Sequence, residues 1–244
     1  ETNTSLTQMS INGNGLDKDR AAKKALGMAL MSNAGSQLST IRCDEWRLDV
    51  EVDGKVDLDL SEQKLVKEDG TFLAGALKIN STVSSLNISQ NNFEGHGDPL
   101  GKALSLNATM TRLEAANSAL GGHSFGLHLA TALRFHGTKL TDVNVAGNAI
   151  TPEGGQAIAR ALQDNVTLVN FNISGNHLGH EAGAEMGTVL TTHNTTLLHL
   201  SVGGKFQSGI FGPFLGDCAS LNITKFREDA VGNELNFDNN LLHK

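Results

Sequence analysis

The sequence predicts an α/β solenoid, a stack of strand–turn–helix–turn units with a parallel sheet on one face and helices on the other. Three observations carry this expectation. A strand-like stretch recurs, as VSSLNISQNNF from Val83, LTDVNVAGNAI from Leu140 and LVNFNISGNHL from Leu168, with the last two copies about 28 residues apart. Between such copies lie segments with apolar residues at helical spacing, as in GGQAIARALQDN from Gly154. An asparagine also returns at one fixed slot as the chain leaves each strand (Asn91, Asn148, Asn176).

The remaining copies follow in order. LTQMSINGNGL starts at Leu6, LSTIRCDEWRL at Leu38 and LDLSEQKL at Leu58. MTRLEAANSAL starts at Met110, LLHLSVGGK at Leu197 and ELNFDNNLL lies around Leu235. In LTDVNVAGN, Val143 and Val145 alternate with Asp142, Asn144 and Ala146, so the valines are expected in the core and the others on the surface. One such unit cannot bury its apolar side alone and needs a stacked neighbour. Asn148 is expected to bond main-chain groups of the adjacent turn, with Asn14, Asn91, Asn176 and Asn240 in the same slot. Gln63 and Ser118 are polar substitutes there, and Trp46 and Lys205 interrupt the series. The helical segments include TFLAGALKIN from Thr71 and GAEMGTVLTTHN from Gly183. Asn80, Asn165 and Asn194 follow helices and are expected to end them in a left-handed turn.

Two stretches depart from this grammar within what is otherwise one domain over residues 1–244. Around Asp53-Gly54, Leu48, Val50 and Val52 face Val56, Leu58 and Leu60 in strict alternation, which predicts a β-hairpin over residues 46–60. A calcium loop is the weaker reading, because Leu60 occupies the slot of the bidentate Glu. Residues 203–232 form an irregular repeat, whose cluster Phe206, Ile210, Phe211, Phe214 and Leu215 reads as a short convex segment or a docking patch. SLNIT from Ser220 could add a strand.

The strand motif, the glycines of NAITPEGGQAI and the helix end AIARALQDN resemble the ribonuclease-inhibitor-like leucine-rich-repeat family. The resemblance runs strongly over residues 58–202 and implies a right-handed arc that binds other macromolecules without catalysis. It points to a non-catalytic interaction scaffold or accessory subunit of a larger intracellular assembly. The alternative it implies is a regulator of a small GTPase, as in the Ran GTPase-activating protein of that family.

Composition narrows the partner. A net charge of −7 disfavours the phosphate backbone of nucleic acid, which needs clustered Lys and Arg. No stretch is apolar enough to insert in a membrane. With no tyrosine, contacts should be polar or aliphatic. No cofactor is expected, since no phosphate loop or nucleophile elbow is present. His177, His180 and His193 lack placed Cys or carboxylate partners and read as exposed turn histidines, not as metal ligands. Eight N-x-[ST] sequons fall at fixed repeat positions, which gives them a structural cause. Two cysteines (Cys43, Cys218) and no visible secretory pattern suggest a reducing intracellular compartment, cytoplasmic, or an organelle or cilium if a removed leader or partners direct it there. Strand copies close to both ends leave little room for polar caps, so a partner or further sequence is expected to cover at least one end.

The expected site is the concave face. Its strand residues include Arg42, Asp57, Asp59, Asn87, Arg112, Glu114, Asn144, Asn172 and Asn236, with Ser10 and Ser201 in the same series and Asp44 nearby. The middle is rich in Asn and Ser. Toward the start, Asp44, Glu45, Asp57, Asp59 and Glu62 form an acidic region suited to a basic segment of a protein partner.

Overall fold

The computed structural model describes residues 3–16, 18–33, 38, 40–43, 48–49, 57–202 and 221–223. Strands β1 (Gln8–Ser10), β2 (Thr40–Cys43) and β3 (Leu48–Asp49) form one small sheet. A seven-stranded sheet holds β4 (Asp57–Asp59), β5 (Ser85–Asn87), β6 (Arg112–Glu114), β7 (Asp142–Asn144), β8 (Asn170–Asn172), β9 (His199–Ser201) and β10 (Leu221–Asn222). Helices α1 (Arg20–Ser32), α2 (Lys67–Ile79), α3 (Asp98–Leu106), α4 (Gly122–Arg134), α5 (Pro152–Asp164) and α6 (Gly179–Thr192) alternate with them.

From β4 to β9 each strand pairs in parallel with the next in sequence, and the helices pack pairwise in the same order. The sheet is open and the chain is an α/β solenoid. Val143, Val145, Phe171 and Ile173 are all buried, as their alternation predicts. The parallel progression stops after β9, where SLNIT supplies the strand β10 but runs antiparallel to β9.

Helix starts follow ordinary capping chemistry. Thr151 accepts a bond from the Gly154 N–H with Pro152 at the first helical position, and Asp19 accepts from Ala22 N at 2.9 Å. Helix ends correct the left-handed expectation. Asn80 and Asn165 are extended, with φ −78° and ψ 132° and 126° respectively. The side chain makes the turn instead. Asn165 Oδ1 accepts from Thr167 N and Leu168 N, and Asn80, Asn107 and Asn194 repeat this geometry. Three of the Nδ2 groups reach back one repeat, Asn107 to Leu77 O, Asn165 to Leu133 O and Asn194 to Leu162 O, while Asn80 Nδ2 donates to Thr82 Oγ1. These four buried asparagines are sequon residues, so their N-x-[ST] spacing reflects this turn.

The second asparagine series lies where the chain leaves the strands. Asn91, Asn148 and Asn176 are buried, and each bridges its own strand to the preceding repeat. Ser118 substitutes in part, donating from Oγ to Ile88 O at 2.8 Å. Gln63 and Asn14 do not substitute. Both are exposed, and Gln63 donates only to Ser61 O nearby. Among the described residues, each sits at the leading edge of its sheet, with no preceding strand hydrogen-bonded to it.

Across the expected hairpin, Leu48–Asp49 pairs antiparallel with Thr40–Cys43, while Asp57–Asp59 pairs with Ser85–Asn87. The turn at Asp53-Gly54 lies outside the described residues, as do Trp46, Lys205, Asn240 and most of 203–232.

Candidate functional site

The concave face of β4–β9 presents two registered rows. One runs Asp57, Ser85, Arg112, Asp142, Asn170, His199, and the other Asp59, Asn87, Glu114, Asn144, Asn172, Ser201. At about 4.8 Å between strands, each row spans roughly 24 Å. The central residue of each strand points the other way, into the core (Leu86, Leu113, Val143, Phe171, Leu200).

The second row is preorganised by side-chain turns. Asn87, Asn144 and Asn172 each accept from the main-chain N–H two residues on, so their oxygens are occupied and the rings of backbone leaving the strands are fixed. Asp59 does the same with Ser61, whose hydroxyl adds a bond of 2.7 Å. Glu114 is the exception. Its carboxylate accepts from Arg112 Nη2 at 3.1 Å and from Asn144 Nδ2 at 2.8 Å, tying three strand positions together. In the first row Asp142 accepts from Thr141 Oγ1 and Asn170 Nδ2.

The face therefore carries four carboxylates (Asp57, Asp59, Glu114, Asp142) against one guanidinium, which is engaged with Glu114. Asp57 and Asp59 are exposed at the β4 edge, with exposed Glu62 just beyond. The Ser61 backbone N–H and then its hydroxyl hold the Asp59 carboxyl below the usual value of 3.8. With a lowered folded-state pKa, the favourable contribution is present above 3.8 and fades as pH falls through the folded value. An NMR titration of Asp59 should give a midpoint below 3.8, which Ser61→Ala raises only in part, since the main-chain donor remains. A midpoint unmoved by Ser61→Ala would show that the hydroxyl has no hold on this carboxylate.

Of the residues expected on this face, Asp57, Asp59, Asn87, Arg112, Glu114, Asn144 and Asn172 are brought together on one sheet. Arg42 belongs to β2 in the other sheet, and Asp44 and Asn236 lie outside the described residues. Sequence reasoning left Ser85, Asp142, Asn170 and His199 of the first row out of the contact residues, although it read Asp142 as facing outward. Aligning the repeat copies would have found them, since each stands one residue before the buried central position. Among the described residues, no three His, Cys, Asp or Glu side chains converge as a metal site, and no helix is long and apolar enough to cross a membrane.

Comparison with protein-family models is consistent with this architecture. A leucine-rich-repeat family model matches residues 136–159, the span of β7 and the first half of α5. No curated protein sequence matches the chain. Among solved structures, leiomodin-1 actin-binding site 2 is similar at 21% identity and a TM-score of 0.38, over 64% of this chain and 76% of that one. At that TM-score the similarity bears on neither partner nor activity.

Proposed function

We propose that this chain, a leucine-rich-repeat solenoid, is a non-catalytic interaction scaffold whose concave sheet holds an extended, basic segment of a protein partner. The observation that carries the reading is the pair of registered polar rows, preordered by their own hydrogen bonds and carrying four carboxylates against one paired arginine. Preordering lowers the entropy lost when a partner docks. The charge asymmetry would steer a Lys- or Arg-rich strand to the β4 end, while farther along the Asn87 and Asn172 amides, whose oxygens are engaged, offer Nδ2 donors to its main-chain carbonyls. We place the chain as an accessory subunit of an intracellular assembly, with Asp57, Asp59, Asn87, Arg112, Glu114, Asn144 and Asn172 as contact residues.

A short lysine-rich peptide should bind with an affinity that falls as salt rises. Asp57→Lys with Asp59→Lys should weaken it by about tenfold or more. Gln163→Lys, on the helical side, should leave binding nearly unchanged. Binding insensitive to the paired reversal would refute the acidic end as the docking site.

A further inference from the structure

The face of β1 and α1 turned away from α2 is built like an interface between repeats but is left open. In the repeat grammar, Leu6 corresponds to Val83, Met110, Leu140, Leu168 and Leu197. Those five are at most 2% exposed, whereas Leu6 is 43% exposed. Ala29, in the Ala-Leu pair near the helix end, corresponds to Ala76, Ala103, Ala132 and Ala161. All four are buried and Ala29 is exposed. Met28 adds an apolar side chain, 56% exposed, where other repeats carry Lys102, Thr131 or Arg160. A terminal repeat finished for solvent would carry polar groups at these places.

Hydrogen bonding tells the same story independently. Asn3 Oδ1 accepts from Ser5 N at 3.1 Å and Leu6 N at 2.8 Å, the turn made by Asn80, Asn107, Asn165 and Asn194. Asn33 Nδ2 donates to Asn3 O at 2.8 Å, as Asn194 Nδ2 donates to Asn165 O. Asn3 is thus a member of the helix-end series. Asn107, Asn165 and Asn194 send Nδ2 to a carbonyl in the last turn of the neighbouring helix on that side (Leu77 O, Leu133 O and Leu162 O). Among the described residues, β1 pairs only with β2, so its other edge is also unmatched.

We infer that this face is a stacking site for one more strand–helix repeat of the same kind, its strand parallel to β1 and its helix against Ala29 and Met28. Continuity with the repeat interfaces inside the chain selects this occupant. The missing pieces are an apolar cover, a strand edge and a helix-end carbonyl, and one repeat in parallel register supplies all three. Two copies meeting head to head through this face would bring antiparallel strands and would leave the Asn3 amide without a helix end.

The test supplies such a repeat from the chain itself. A copy of residues 140–164 joined directly before Asn3 preserves the spacing from strand to helix-end asparagine. The extended protein should melt several degrees higher, about 5 °C, and amide exchange at residues 8–10 should slow. Ala29→Glu should leave the melting temperature of the parent chain unchanged, because Ala29 is exposed, yet remove most of the gain in the extended one. No gain, or a gain indifferent to Ala29→Glu, overturns the proposal. So does a concentration-dependent dimer of the parent that Ala29→Glu dissociates, which would assign the face to a second copy.

Discussion

Asn148→Ala should destabilise the solenoid by about 5 kcal/mol. Asn148 Oδ1 accepts from Ser118 N and Leu120 N, and Nδ2 donates to Ala115 O at 2.6 Å and Val145 O at 3.0 Å. Val145 O keeps a second donor in Asn176 Nδ2. Truncation therefore strands two buried N–H groups and one carbonyl, each worth about 1–3 kcal/mol when left unsatisfied. The melting temperature should fall by about 10–20 °C for a chain of this size. Asn148→Ser should be intermediate, since Ser118 shows that a hydroxyl can serve one carbonyl of the preceding repeat. Asn148→Asp should be no better than alanine, because a buried carboxylate would face two carbonyl oxygens. Denaturant titration of the three variants gives the order. Equal stability of Asn148→Ala and the parent would mean that water replaces the amide at no cost.

That prediction rests on a residue the sequence identifies, and the reason is periodicity. The slot of Asn91, Asn148 and Asn176 recurs at a fixed distance after an alternating strand, where backbone leaving a buried sheet must find partners. The same reading goes astray at Gln63 and Asn14, because the role needs a hydrogen-bonded repeat behind it, and adjacency is a property of the stack. It goes astray again at Asn80 and Asn165, where asparagine's tolerance of left-handed backbone suggested one turn and its side-chain oxygen makes another. On the concave face, the outward residues of the better copies were legible from alternation alone. The Arg112–Glu114–Asn144 link was not, since it depends on which strands lie side by side and in what register.

The second large effect concerns the pair joining α1 to α2, which no local pattern announces. Lys23 Nζ lies 3.0 Å from Asp69 Oδ1, with both side chains less than 10% exposed. Asp69 Oδ2 also accepts from Val66 N at 2.8 Å, capping α2. Asp69→Ala should cost about 3–5 kcal/mol, because it removes the buried Asp69 carboxylate from the Lys23 ammonium and deprives the helix of a cap. Lys23→Met combined with Asp69→Asn should recover most of that loss, since it removes the charge and keeps an oxygen for Val66 N. Exchanging the charges, Lys23→Asp with Asp69→Lys, should not recover it. The ammonium would then sit in the first turn of α2, where the helix dipole favours an anion and Val66 N would lose its acceptor. Close approach also constrains this interface, because a Cβ at Gly27 would lie 2.4 Å from Thr71 O, so the helices have no slack with which to admit water. In a stack whose repeats touch only their neighbours, the loss should stay local. Hydrogen exchange of Asp69→Ala should accelerate across residues 20–32 and remain at parent rates across 142–172. Uniform acceleration along the chain would show instead that the α1–α2 contact governs the whole solenoid as one cooperative unit.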